Sequence, residues 1–412
     1  MSAPIPPSAI PSSAVPTGAI PSSAVMPTYA RAPVAFVRGA GCRLWDREGR
    51  VHLDFAAGIA VNVLGHAHPR LVRALTAQAE TLWHCSNLFE VPGQEDVAGR
   101  LAALSFADVA FFGNSGAEAN ECAIKLARRH HAAAGRPERW RILAFEGSFH
   151  GRTLGTLAAA GNPKNLHGFG PAAPGFDHAP FGDLAAAERL VGPETAAILV
   201  EPVQGDGGVR VADPAFLAGL RALCDRTGAL LMMDEIQTGI GRTGRLFAHE
   251  GAGVRPDVMT LAKALGGGFP VGACLATRHA AAGMTAGSHA STFGGNPLAM
   301  AVAAEVLATV TAPGFLETVR ATGDRLAAGL DALVAARPHL FEARRGMGLM
   351  QGLRCRTDPA VVVAAFRDAG LVTAPAQDRV VRLLPPLIVS DAEVDEALAI
   401  MDGVGARMRL AA

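Results

Sequence analysis

With 37 acidic and 37 basic side chains among 412 residues, the formal charge is zero, so the chain lacks the clustered positive charge that nucleic acid or an anionic membrane would need. Half of the residues are hydrophobic, enough for a large core, yet no apolar run nears the roughly 20 residues that span a bilayer. The six cysteines (Cys42, Cys85, Cys122, Cys224, Cys274 and Cys355) are scattered, and the pairs His66/His68 and His130/His131 lack further ligands. A soluble protein with reduced thiols, a cytoplasmic setting and no metal centre is therefore expected.

Residues 1–26, MSAPIPPSAIPSSAVPTGAIPSSAVM, carry no side-chain charge and contain AIPSSAV twice. Such a tract buries too little surface to offset its ordering entropy, which predicts disorder. No basic residue precedes an apolar block, and the first arginine is Arg31, so neither a secretory nor a mitochondrial leader is expected. From residue 34, VAFVRGAGCRLWDREGRVHLDF alternates apolar and polar residues around turn residues, the pattern of short antiparallel strands. Between about 95 and 280, short apolar runs (DVAFF, RILAF, AAILV, ALLMMD, DVMTL) alternate with helical stretches such as 116–133 and 213–227. That rhythm predicts a mostly parallel, helix-covered sheet. Helical stretches at 297–312 and 315–336 lead into strand-like GMGLMQGLR and RVVRLLPPL. The fold class is thus α/β, with a large domain at 65–296 and a smaller α+β domain built from 27–64 and 297–412.

In open α/β sheets, ligands gather at the carboxyl ends of strands, and three predicted strands end in reactive chemistry. The first runs into FFGNSGAEANECAIKLAR, where Ser115 and Glu118 form an S-x-x-E capping box and the new helix start offers free amides to an anion. An ordinary capped helix start explains the same residues. The second strand, ALLMMD, delivers Asp234, a carboxylate that must find a partner if buried. Gly239-Ile-Gly241-Arg-Thr-Gly244 follows and formally reads G-x-G-x-x-G. A dinucleotide site needs that motif directly between strand and helix; here Asp-Glu-Ile-Gln-Thr intervenes and no helical period follows, so a loop is expected. The third strand, DVMTL, leads to Lys263 and three glycines. Lysine occurs only three times against 34 arginines, and unlike arginine it becomes a neutral amine when its pKa is depressed. A helix-start anion site, a strand-end carboxylate and an isolated lysine together fit pyridoxal phosphate: the lysine bonds the aldehyde, the carboxylate holds the pyridine nitrogen and the helix holds the phosphate.

Eight segments in order, LWDREGRVHLDFAAGIAVNVLGHAHP, FFGNSGAEANE, FHGRTLG, VEPVQGDGGV, DEIQTGIGRTG, AKALGGGFPVGA, STFGGNPLA and VVRLLPPL, resemble the class III, fold-type I aminotransferases, and acetylornithine aminotransferases most of all. The resemblance runs from about residue 29 to 405. It implies a seven-stranded sheet in the large domain and a homodimer with sites at the subunit interface. It implies that Lys263 is the Schiff-base lysine and proton shuttle, with Asp234 on the pyridine nitrogen. Gln237 and Ile236 would contact the ring, with Phe149 stacked on its other face, and His150 and Glu201 would lie beside it. Ser115, Gly116 and Ala117 would bind the phosphate, and Thr292 the phosphate of the partner subunit. Arg152 and Arg382 would hold substrate carboxylates.

Where the family usually reads QGEGG, this chain reads QGDGG, placing the shorter Asp206 where a glutamate pairs with the arginine matching Arg382. Ile59 stands where ornithine aminotransferases tend to carry tyrosine, and Tyr29 resembles a residue that contacts the substrate carboxylate in those relatives. An apolar Ile59 suits an acylated amine. The reaction implied is ping-pong transfer of the δ-amino group of N2-acetyl-L-ornithine to 2-oxoglutarate, a step of arginine biosynthesis. Other ω-amines (succinyl-diaminopimelate, succinylornithine, 4-aminobutyrate or a specialised diamine) remain alternatives, as do an aminomutase or decarboxylase on the same fold and a non-catalytic cofactor-binding protein.

Overall fold

The alternation of apolar runs and helical stretches closes into a seven-stranded sheet at the centre of the computed structural model, which describes residues 24–408. Before it come β1 (Phe36–Ala40), β2 (Arg43–Asp46) and β3 (Val51–Asp54), an antiparallel meander. The sheet itself uses β4 (Val109–Gly113), β5 (Arg141–Phe145), β6 (Phe176–Ala179) and β7 (Thr195–Val200). A short ribbon, β8 (Val203–Gln204) with β9 (Arg210–Val211), separates these from β10 (Leu230–Asp234), β11 (Val258–Leu261) and β12 (Gly272–Ala276). The spatial order is β4-β12-β11-β10-β7-β5-β6. Only β12 runs against its neighbours, so the expectation of a mostly parallel sheet holds.

Strands covered on both faces read as unbroken apolar runs, and every residue of β7 and β10 is buried. Alternate side chains go to opposite faces. Ile198, Leu231 and Met233 pack with Phe216, Leu220 and Cys224 of helix Pro214–Thr227. Leu199, Leu230 and Met232 pack with Cys122, Ala123 and Leu126 of helix Gly116–Ala133. The sequence pattern does not single out β6 (FDHA) or β12 (GACLA), which carry too few large apolar residues to stand out.

The end of the chain returns to its beginning. After β13 (Phe341–Met347) and β14 (Met350–Cys355), the two-residue β15 (Leu371–Val372) joins the first meander parallel to β3. Then β16 (Ala374–Ala376) and β17 (Val380–Leu383) complete a sheet of order β13-β14-β17-β16. Residues 24–35 are a separate unit without helix or strand, in which Thr28 and Arg31 donate backbone hydrogen bonds two residues back. Of the expected disordered tract 1–26, residues 1–23 lie outside the described residues, while Ala24, Val25 and Met26 are exposed. Among the described residues, no single helix is long and apolar enough to cross a membrane, and no group of three or more His, Cys, Asp or Glu could hold a metal ion.

Candidate active site

The carboxyl ends of β4, β7, β10 and β11 open into a cavity of about 450 Å³. Its walls include Ser115, Gly116, Ala117, Phe149, His150, Arg152, Glu201, Asp234, Ile236, Gln237 and Lys263. Eleven residues named from sequence thus converge on one site.

Asp234 ends β10 and is 3% exposed. Its Oδ2 accepts hydrogen bonds from Asn120 Nδ2 at 2.7 Å and His150 Nδ1 at 2.8 Å, and its Oδ1 accepts from the Ile236 amide at 3.0 Å. Asn120 is itself fixed, donating to the His150 carbonyl and accepting from Thr260 Oγ1 on β11. A carboxylate with three donors is held in one direction. Neither Asn120 nor Thr260 was named from sequence; the available signal was the inward spacing of Asn120, four residues after Gly116 on the same helix face. Val61, Asn114 and Phe269 are further wall residues that sequence reasoning missed.

Helix Gly116–Ala133 begins at the cavity. Ser115 Oγ accepts from the Glu118 amide at 3.2 Å, the first half of the expected capping box. The reciprocal half differs: the Glu118 carboxylate accepts from the Asn114 amide, at 2.9 Å, and from Ser115 Oγ. The Gly116 and Ala117 amides, in the first turn, have no carbonyl four residues back within the helix to bind and so remain available to an anion. Gly272 permits this close seating, because a Cβ there would lie 2.2 Å from the Ser115 carbonyl oxygen.

Lys263 follows β11 and opens a turn of 3-10 helix, Lys263–Gly266, with φ of 38°. Such backbone is strained for a non-glycine residue and is a mark of functional sites. Part of the side chain faces the cavity and protein surrounds the rest. That burial, together with the Arg382 charge, lowers its pKa to about 8, against the opposing pull of Asp234, Glu201 and Asp206. Glu201, just past β7, accepts from the Phe149 amide at 3.2 Å. Burial first, and the Asp234 charge second, raise its pKa well above the usual carboxylate range.

Behind the wall, Arg382 on β17 is 5% exposed. It donates to Gln237 Oε1 at 3.5 Å, Asp206 Oδ1 at 3.3 Å and the Pro375 carbonyl at 3.0 Å, while its Nε has no partner. Asp206 therefore spans the gap despite its missing methylene, at a long distance. Burial lowers the Arg382 pKa, with Asp206 and Glu201 pulling the other way. Arg152, at the exposed rim, lies 5.4 Å from the Phe149 ring centroid.

Thr292 and Ile59 are not among the residues that line the cavity. Thr292 is exposed in a loop pinned to the chain by Asn87, which donates to the Ser291 and Gly294 carbonyls, and by Asn114, which reaches Ser291 Oγ. Tyr29 lies in the separate 24–35 segment, exposed, with the Arg31 guanidinium 5.9 Å from its ring. Ile59 packs against a small cluster containing Val203, Met350 and Leu384. It sits in a turn where four successive residues have positive φ: Ala57 (47°), Gly58 (64°), Ile59 (66°) and Ala60 (62°). Left-handed backbone costs roughly 1–2 kcal/mol for each non-glycine residue. Asp54 holds the turn, its Oδ1 accepting from the Ala56 and Ala57 amides at 2.9 Å and its Oδ2 meeting His66 Nε2 at 2.7 Å. The turn leads directly to Val61 on the cavity wall.

The residues present fit pyridoxal phosphate by their chemistry: an amine of depressed pKa, a fixed carboxylate, a helix start with free amides and a buried His150 Nε2 without a protein partner. Comparison with known proteins points the same way. Residues 25–404 match the model of the family described as aminotransferase class-III. The chain is 58% identical over 371 residues to an acetylornithine aminotransferase of Mesorhizobium japonicum, covering 90% of this chain and 93% of that one. Ornithine aminotransferase of Toxoplasma gondii ME49 is similar in structure, with a TM-score of 0.89, 33% identity and 93% and 92% of the two chains covered. N-acetylornithine aminotransferase of Stenotrophomonas maltophilia K279a gives 0.80 and 39%, covering 92% of this chain and 97% of that one.

Proposed function

This chain belongs to the class III aminotransferases, which depend on pyridoxal phosphate, and from that premise we propose that it moves the δ-amino group of N2-acetyl-L-ornithine to 2-oxoglutarate. The products are N-acetyl-L-glutamate 5-semialdehyde and L-glutamate, and the step belongs to arginine biosynthesis. The observation that carries the chemistry is the Lys263 amine, of pKa about 8, in a cavity with the fixed Asp234 carboxylate. The donor assignment is supported by 58% identity to a relative named for that substrate.

When bound, the cofactor supplies an electron-accepting ring and carries the amino group between the two substrates. Ser115, Gly116 and Ala117 would hold its phosphate, and Asp234 its ring nitrogen; Phe149, His150, Glu201, Ile236 and Gln237 would surround the ring. Lys263, whose burial favours the neutral amine, would take the proton from the carbon bearing the reacting amine and pass it on within the same half-reaction. In the second half-reaction it would deliver a proton to the carbon of 2-oxoglutarate that gains the amine. Arg382 would hold a substrate carboxylate by exchanging Asp206 for it, and Arg152 would hold a carboxylate at the rim.

A homodimer completes the reading. Trp83 (65% exposed), Leu88 (88%), Phe89 (70%) and Phe293 (59%) are large apolar side chains left in solvent, and an apolar patch of this kind marks an interaction surface. Thr292 lies beside Phe293 there, which supports its reach toward a partner's phosphate. A cytoplasmic location is part of the proposal, supported by six free cysteines, five of them buried. The deciding experiment is the visible spectrum of the holoenzyme. Addition of N2-acetyl-L-ornithine bleaches the cofactor band and 2-oxoglutarate restores it; a band unmoved by that donor but bleached by another ω-amine would reassign the substrate.

A further inference from the structure

The guanidinium of Arg242 is fully buried at 0% exposure, and burial lowers its pKa to about 9. No carboxylate forms an ion pair with it among the described residues, and its Nε and Nη2 have no partner. A buried charge without a counter-charge costs stability that an apolar side chain of similar volume would not. What the guanidinium does hold is main chain. Nη1 donates to the Leu349 carbonyl at 3.1 Å and to the Pro385 carbonyl at 2.5 Å, and the Leu349 amide returns a bond to the Arg242 carbonyl at 3.2 Å.

Both carbonyls belong to the support of Arg382. Leu349 sits in the turn leading into β14, whose Gly352 pairs with Arg382 on β17, and Pro385 lies three residues beyond Arg382. Arg242 itself lies in the loop that leaves β10 at Asp234 and contains Gln237. The loop therefore grips the two strands that carry Arg382 through Arg242, whereas the direct contacts of Arg382 to Gln237 and Asp206 are long, at 3.5 and 3.3 Å. We infer that Arg242 is a positioning residue for substrate-carboxylate recognition, setting the placement of Arg382 against Gln237 and Asp206. The inference rests on the reading of Arg382 as a carboxylate holder.

The test uses holoenzyme and glutarate, an unreactive dicarboxylate, as the probe. Arg242→Met removes both bonds; it weakens glutarate binding and raises the KM for 2-oxoglutarate about tenfold while changing kcat about twofold or less, a split expected when an interaction equal in ground and transition states is lost. Arg242→Lys keeps a donor and recovers most of the loss. If the methionine variant does not fold, Arg242→Gln, which keeps only a shorter neutral amide, carries the test in a double-mutant cycle with Arg382→Gln. A positioning role makes its effect on glutarate vanish once Arg382 is gone, because residues that act through one another are not additive. Unchanged glutarate binding in a folded Arg242→Met or Arg242→Gln variant, or an effect that persists undiminished in the Arg382→Gln background, overturns the inference. If Arg382→Gln alone leaves glutarate binding intact, the failure lies instead in the reading of Arg382, and the inference falls with it.

Discussion

Asp234 on the cavity wall and Arg382 behind it are both buried ionisable side chains, yet they are held in opposite ways. Asp234 has three donors at 3.0 Å or less, one of them from an asparagine that is fixed by its own bonds to a carbonyl and to Thr260. Arg382 has two side-chain contacts at 3.3 and 3.5 Å and an Nε with no partner. On the proposed reading, the difference separates a permanent task from an exchangeable one. A charge that must face a resident ring nitrogen gains from donors that never leave. A cation that must receive a carboxylate, release it and receive another gains from a resident partner that is easily displaced.

Four substitutions break or sharpen that contrast. Lys263→Ala removes the base that both ends serve, and turnover falls at least about 10⁴-fold in a steady-state assay with both substrates; near-normal turnover would falsify the site assignment. Asp234→Ala strips the fixed end, and kcat drops about 10³-fold, in the range of losing one preorganised electrostatic group. Cofactor retention after gel filtration drops with it; full retention and full activity would remove the distinction between the ends. At the exchangeable end, Asp206→Ala frees Arg382 from its resident partner. The KM for 2-oxoglutarate then falls a few-fold, with kcat changed about twofold or less, and a rise in KM would show that Asp206 orients Arg382 instead of competing for it.

The smallest effect is on stability. The pKa of Lys263 is lowered from its ordinary value to about 8, so folding disfavours the protonated amine. The resulting penalty is fully present below about pH 8 and is relieved as pH rises from there toward about 10.4, the ordinary lysine value. In cofactor-free protein, Lys263→Met therefore raises the thermal midpoint by a few degrees at pH 7, and the gain shrinks above pH 8. A gain that stays constant from pH 7 to pH 10 in calorimetry would exclude the titration as its source.

How far the sequence discloses this site depends on the kind of interaction. Asp234, Lys263 and Ser115 can be read because each ends or follows an apolar run, and a strand end in an α/β sheet faces a crevice. The G-x-G-x-x-G segment can be dismissed for the same local reason, and Glu235 shows what the loop does instead: its carboxylate accepts from Thr238, from the Ala248 and His249 amides and from the His249 ring, closing the segment on itself. Asn120 and Thr260 are hidden because a polar residue on a buried helix face or strand has no periodic mark of its own. The left-handed turn at 57–60 is hidden more deeply. AAGIA offers one glycine for four positive φ values, and the restraint comes from Asp54 and His66 on either side of it. The Arg382–Asp206 pair joins residues 176 positions apart, a meeting that only the folded sheets create.

The scarcity of lysine reaches beyond the cavity. Lys125 pairs with His289 at 2.8 Å on the exposed side of its helix, Lys164 is exposed, and every other basic chain apart from the histidines is an arginine. Guanidinium groups stay protonated and do not condense readily with carbonyl compounds, whereas neutral amines do. An enzyme releasing a semialdehyde meets its own reactive product at every turnover, and an amine-rich surface would slowly collect adducts. This surface offers that product two lysines, leaving the buried one as the place where carbonyl chemistry is concentrated.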